Sequence, residues 1–179
     1  HVGRHLWTQG NWEDSRVLLE ESRAVWSTLG DQGEQGLAET LNWLGIVAHY
    51  GYRDTDAAES YIKHSRELFQ KWDNPREALS IFHLGILESE RENLHDARAY
   101  FEQSLALFRQ MGNIFFIARV STYLGELFLK QGDFSTARQY FEQHLMLDRQ
   151  LQFWNGLVDA LNSLGVLSRR QGELKQAEA

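Results

Sequence analysis

The chain has 179 residues, a formal net charge of −7, 42% apolar and 24% charged residues, and no cysteine. The acidic balance argues against direct binding of a nucleic-acid backbone, which needs clustered lysine and arginine to displace counterions, and the lack of cysteine excludes disulfides, thiolate zinc sites and a cysteine nucleophile while fitting a reducing, cytoplasmic setting. No apolar run approaches the ~20 residues that cross a bilayer, so no membrane partner is expected, and the stretch HVGRHLWTQG has no signal-peptide core.

Pro75 is the only proline, which favours helices. Apolar residues recur at three- and four-residue steps. Leu37, Leu41, Leu44 and Ala48 form one stripe, and Leu94, Ala97, Phe101, Leu105 and Phe108 form another, the period of helices and not of strands. In chain order the pattern predicts helices over 1–9, 12–28, 34–50, 54–71, 75–91, 94–110, 114–130, 134–150, 154–170 and from 174 onward. GNW, QGDF and QGEL read as tight turns, and TLGDQGEQG, KWDNPRE, QMGN and QLQFWNG as longer breaks; the glycine-rich LGDQGEQG reads as a flexible connection. In DNPRE, Asn74 is expected to cap a helix that begins at Pro75, with Glu77 in its first turn.

The helices repeat. Leu44-Gly45, Leu84-Gly85, Leu124-Gly125 and Leu164-Gly165 follow one another at a spacing of 40 residues, and Ala57, Ala97, Ala137 and Ala177 keep the same period. Tyr61, Phe101 and Phe141 come four residues after the first three alanines and are expected in the core. Val2-Gly3 and Ser15 extend the series toward the start. Each glycine is expected to meet the small residue of the next helix, Gly45 with Ala57 and Gly125 with Ala137, so that two backbones approach closely. The units run approximately over 1–30, 31–73, 74–112, 113–152 and 153–179, one array over the whole chain.

In LGELFLKQGDFSTARQYFEQ, the places of Leu124, Gly125, Gly132, Asp133, Phe134, Ala137 and Phe141 resemble the tetratricopeptide repeat. The unit is longer than that family's usual length of about 34 residues, and Tyr52 and Glu92 stand where the turn glycine would be. The lengthened units look like those of kinesin light chains and of large bacterial signal-responsive regulators of the STAND and LuxR types. The resemblance implies an all-α fold, a right-handed superhelical array of antiparallel helix pairs, here a segment of a longer array.

Searches for chemistry find little. His49, His64, His83, His95 and His144 are spread over different helices without metal-ligand spacing, and His64 and His144 fall at equivalent repeat positions, read as a tolerated helix interface. Glu88, Glu90 and Glu92 point in different directions on a helix, and no phosphate-binding glycine motif is present. No catalytic residue, cofactor or metal is expected, and the chain is read as a non-enzyme.

By the resemblance, the first helix of each pair lines a concave groove. The residues expected there are Asn42, Ile46 and His49; Phe82, Ile86 and Ser89; Thr122, Glu126 and Leu129; and Asn162, Val166 and Arg169, each triplet sharing a face at i, i+4 and i+7. This mix of apolar and amide side chains suits an extended peptide or an amphipathic helix. The expected function is a protein- or peptide-binding scaffold within a larger regulatory protein. The alternatives are the sensor segment of a bacterial transcriptional activator, binding a peptide or small inducer, and a self-association module. Trp72, Phe115, Phe116, Phe153 and Trp154 lie near the breaks, as core or as contact surface.

Overall fold

The computed structural model describes residues 11–177, with side chains described as far as Glu173. The expected helix over 1–9 lies outside the described residues. The rest is all-α: α1 (Trp12–Ser27), α2 (Glu34–Tyr52), α3 (Thr55–Lys71), α4 (Glu77–Glu90), α5 (Leu94–Gln110), α6 (Ile114–Lys130), α7 (Phe134–Leu151) and α8 (Trp154–Ala177), with no strand among the described residues. Among those residues no helix is long and apolar enough to cross a membrane. The chain divides into two compact units, at Leu87 and Glu88.

In the first unit, α2 packs against α1 and α3. Its core gathers Leu19, Leu41, Leu44 and Val47, with Trp12, Leu37, Trp43, Tyr61 and Leu68 packed around them. The connection expected to be flexible is instead wound into a 3₁₀ helix over Gly30–Gly33. Close packing explains the glycines here: a β-carbon on Gly36 would fall 2.4 Å from the Trp26 ring.

In the second unit, α6 packs against α5 and α7, and α7 against α8. Phe128, Ala137, Phe141 and Leu167 form its core, with Leu129, Phe134, Tyr140 and Leu164 around them. The turns here are economical. Asp133 N–H donates to the Phe128 carbonyl (2.9 Å) and Gly132 N–H to Leu129 (3.2 Å), the two bonds of a Schellman closure with Gly132 left-handed at φ 81°. The Asp133 carboxylate then accepts the Thr136 N–H and so caps α7. Asn113 repeats the device: its N–H closes α5 on Phe108 (2.9 Å), and its side chain accepts the Phe116 N–H (3.3 Å) to start α6. Asn113→Ala is expected to cost about 1 kcal/mol in urea denaturation, the usual value of a lost cap.

Three boundaries differ from the sequence expectation. The α2–α3 turn closes by Asp54 N–H on the Ala48 carbonyl (3.0 Å), one residue further along than the closure of Asp133 on Phe128. The left-handed residue is therefore Arg53 (φ 56°), not Tyr52. The extra residue shifts the register of α3, so Ala58 and Ile62 are the buried pair, at 0% and 1% exposure, and Ala57 and Tyr61 are only half-buried. Gly45 accordingly faces Ile62 Cγ1 and the Ala58 carbonyl, in place of Ala57. The α4 helix begins at Glu77, because Ala78 and Leu79 bond back to Pro75 and Arg76 in three-residue steps and Asn74 caps through the Arg76 N–H (3.0 Å). Finally, α8 runs unbroken through the expected QGEL turn to Ala177. Glycine permits a break without enforcing one. A β-carbon on Gly165 would meet nothing within 4 Å, where one on Gly125 would meet Phe141.

Candidate functional site

The twelve predicted groove residues do not share one environment. Asn42, Ile46, His49, Phe82 and Ile86 are 4% exposed or less and belong to the interior. The physical reason is that α2 and α4 carry apolar residues nearly all round, and a helix of that kind is enclosed on every side: Leu44 to His49 is a continuous buried run, as is Leu84 to Leu87. Both amide atoms of Asn42 are buried without a hydrogen-bond partner in the structure. Ser89 and Leu129 are half-buried, and Val166 and Arg169 are exposed on α8, where Arg169 reaches Glu173 at 3.9 Å.

The second unit brings the remaining three together. Thr122 and Glu126 from α6 and Asn162 from α8 line one cavity of about 370 Å³, whose floor is supplied by His144 and Asp148 of α7. His144 and Asp148 sit four residues apart on one face of the helix and are almost fully buried. His144 Nδ1 lies 2.9 Å from Thr122 Oγ1, and Nε2 lies 2.8 Å from Asp148 Oδ2. Nε2 thus faces the acceptor carboxylate and Nδ1 the Thr122 hydroxyl, which also lies 3.3 Å from the Ala118 carbonyl. The imidazole meets Oδ2 obliquely, leaving that oxygen without a directed donor. Against it lies Gly156 of α8, where a β-carbon would fall 1.8 Å from Oδ2.

Burial holds the His144 imidazole below its ordinary value of 6.5, with the nearby Arg119 acting the same way; Asp148 and Asp159 oppose the shift without cancelling it. The unfolded chain therefore binds the proton more readily than the folded one. Stability from this residue is full above the unfolded value and is lost as the pH falls below about 6.5. Melting temperature measured from about pH 7 to pH 5 is expected to drop, and His144→Gln is expected to flatten that slope. Glu126 meets solvent at the cavity wall, yet the surrounding protein withdraws enough water to push its carboxyl above the ordinary 4.5, with only Lys130 pulling it back.

The His144–Asp148 pair was not singled out in the sequence. Its signal is HLMLD, a histidine and a carboxylate at i and i+4. His64, at the equivalent place 80 residues earlier, is exposed, so the shared repeat position does not confer a shared role. Of the aromatics near the breaks, Phe116 is half-buried and stacks on Phe108 at 4.7 Å, whereas Phe115, Phe153, Trp72 and Trp154 are exposed. His95 and Asp96 form a solvent-facing pair at 3.0 Å. Among the described residues, no group of three or more His, Asp or Glu side chains is placed to hold a metal ion.

Antiparallel helix pairs, closed by short caps and repeated along the chain, define a helical-repeat protein. Two models of the tetratricopeptide repeat match residues 36–110 and 118–151, together more than half of the sequence, and the chain belongs to that family. Its fold is similar to that of aspartyl phosphate phosphatase F from Bacillus subtilis (TM-score 0.83, 11% identity), over 98% of this chain and 46% of that one. It is also similar to BtubC (BKLC) from P. vanneervenii (TM-score 0.81, 17% identity), over 98% and 72% of the two chains. A third similar structure is the Rap conjugation gene regulator of the plasmid pLS20 in complex with the Phr* peptide (TM-score 0.68, 18% identity), over 97% and 52%. The chain thus spans about half the length of the first and third of these. A search of curated protein sequences returns no match.

Proposed function

We propose that the chain is a non-enzymatic scaffold that binds a peptide or protein segment, within a larger cytoplasmic regulatory protein. The observation that carries this reading is the convergence of Thr122, Glu126 and Asn162 on one cavity, with Val166 exposed further along α8. Amide and hydroxyl groups of this kind pair with a peptide backbone, and the apolar residue adds contact area. A similar fold in complex with a peptide supports the reading.

Thr122, His144 and Asp148 have the order of a hydroxyl nucleophile, a base and its carboxylate. Catalysis of that kind also needs donors aimed at a developing oxyanion. Here the residues sit in the middle of α6 and α7, where backbone N–H groups are spent within the helix. The arrangement suits holding a ligand.

Selection from a displayed random peptide library against the chain tests the proposal. Val166→Glu and Asn162→Ala are expected to weaken the selected peptide at least about tenfold. Unchanged affinity in both variants would remove the site from this face. The cavity volume also suits a small inducer, which favours a signal-sensing role as the second reading. Isothermal titration with selected peptides and with pooled small metabolites separates the two.

A further inference from the structure

We propose that the cavity enclosed by α6, α7 and α8 is a guanidinium-recognition subsite, shaped for the end of an arginine side chain. It rests on the peptide-scaffold reading only for the source of that group, because the recognition chemistry is built into the cavity itself.

The charge of the cavity calls for a cation. Each of the three helices contributes a carboxylate: Glu126 from α6, Asp148 from α7 and Asp159 from α8. The cationic side chain in the lining is Arg119, and its guanidinium lies over the Phe115 ring at 5.9 Å. With His144 neutral, the cavity carries an excess of two negative charges. Neither Glu126 nor Asp159 has an ion-pair partner among the described residues. Asp148 is 2% exposed, and its Oδ2 lacks a directed donor although it lies beside the imidazole. Carboxylates gathered in one recess repel one another and favour a cation between them.

The shape of the cavity favours a flat cation. Phe115 and Phe153 stand edge to face with ring centroids 5.8 Å apart, and Tyr123 lies in the same wall. Flat aromatic faces beside separated carboxylates match a planar, delocalised cation better than a compact ammonium. A guanidinium can stack on a ring while its forked N–H groups reach more than one acceptor, and it is the more weakly hydrated of the two. Asn162 and Ser163 add acceptors at the rim. The cavity, about 370 Å³, is at the small end of ligand sites and suits one side chain, not a whole peptide.

The floor of the cavity is also preorganised. Thr122 orients His144, and His144 sits against Asp148. Gly156 then lets α8 close over the carboxylate, since any side chain there would collide with Oδ2. The floor carboxylate is thereby held in place before a ligand arrives, which lowers the ordering cost of binding.

The test is a nuclear magnetic resonance titration of the isotope-labelled chain, following the amide signals of Thr122, His144 and Gly156. The probes are N-acetyl-arginine amide, agmatine, N-acetyl-lysine amide and the neutral isostere N-acetyl-citrulline amide. The arginine amide and agmatine are expected to shift these signals at least about tenfold more tightly than the citrulline amide, with the lysine amide between them. Tighter binding of the arginine amide than of agmatine identifies a peptide side chain as the source; the reverse identifies a free guanidino compound. Either result supports the subsite. Glu126→Gln and Asp159→Asn, both at exposed positions where folding is retained, are each expected to weaken the arginine amide about fivefold or more. Equal binding of the arginine and citrulline amides, no response at the three amides, or wild-type affinity in both variants would overturn the proposal. Because these probes do not span the Val166 face, such a failure leaves the peptide-scaffold reading standing, and a failed library selection leaves the subsite standing.

Discussion

Phe141→Ala is expected to lower the unfolding free energy by about 3–5 kcal/mol, the cost of truncating a fully buried aromatic ring. Phe141 has no exposed surface and lies in the core cluster with Phe128, Ala137 and Leu167, where three helices of the second unit meet. The loss has two parts: the transfer free energy of the ring, and the cavity that the surrounding helices cannot close. Denaturant titration of the variant measures it. Met146→Ala, on the same helix but 60% exposed, is the comparison and is expected to stay within about 0.5 kcal/mol of wild type. A Phe141 variant that loses under about 1 kcal/mol would show that the ring does not organise this core.

Gly125→Leu is expected to destabilise the chain by about 1–3 kcal/mol through overpacking. A β-carbon there would fall 2.5 Å from Phe141 Cε1 and 2.7 Å from Cδ1, so even one methyl group forces the ring to move. The helix thus carries glycine's propensity cost of about 1 kcal/mol in exchange for the close approach of α6 and α7. Gly165 holds the same place in the repeat and meets nothing within 4 Å. Gly165→Ala is therefore expected to raise stability by up to about 1 kcal/mol, from helix propensity alone. Opposite signs at two equivalent glycines would establish that the contact, and not the motif, sets the requirement. A Gly125→Leu melting temperature no lower than wild type would contradict this account. Combined with Phe141→Ala, the lesion should be less than additive, because removing the ring opens the space that the introduced leucine side chain would occupy.

Helix positions were readable because apolar spacing and caps agree along the chain. The bounds of α5 and α6 coincide with those expected, and those of α1, α2, α3 and α7 lie within two residues. What escaped was whatever a single added residue or the depth of packing decides. DTDAAESYIKH offers two registers, Ala57 with Tyr61 or Ala58 with Ile62, and only the longer Ala48–Asp54 closure selects the second. The QGEL glycine allows a turn without enforcing one, and α8 continues through it. Register names positions on α2, α4, α6 and α8, yet it does not state how deeply a helix is enclosed. LNWLGIVAHY already contained the warning, since its apolar residues leave no polar face. His144 and Asp148 were within reach as an i, i+4 pair, but their bond to Thr122 and the approach of Gly156 come from different helices and have no local signature.

The most extensive helix packing within each unit joins neighbours along the chain, and the turn between α6 and α7 spans only residues 131–133. Closing so short a loop sacrifices little chain entropy, and contacts that are near in sequence form quickly. A ribosome adds roughly 5–20 residues each second, slowly enough for a helical hairpin to settle while synthesis continues. The Thr122–His144–Asp148 arrangement lies wholly within α6 and α7, so it can assemble on the nascent chain before Gly156 and the rest of α8 emerge. On that order, the helix that completes the cavity is expected to be laid over a floor already in place.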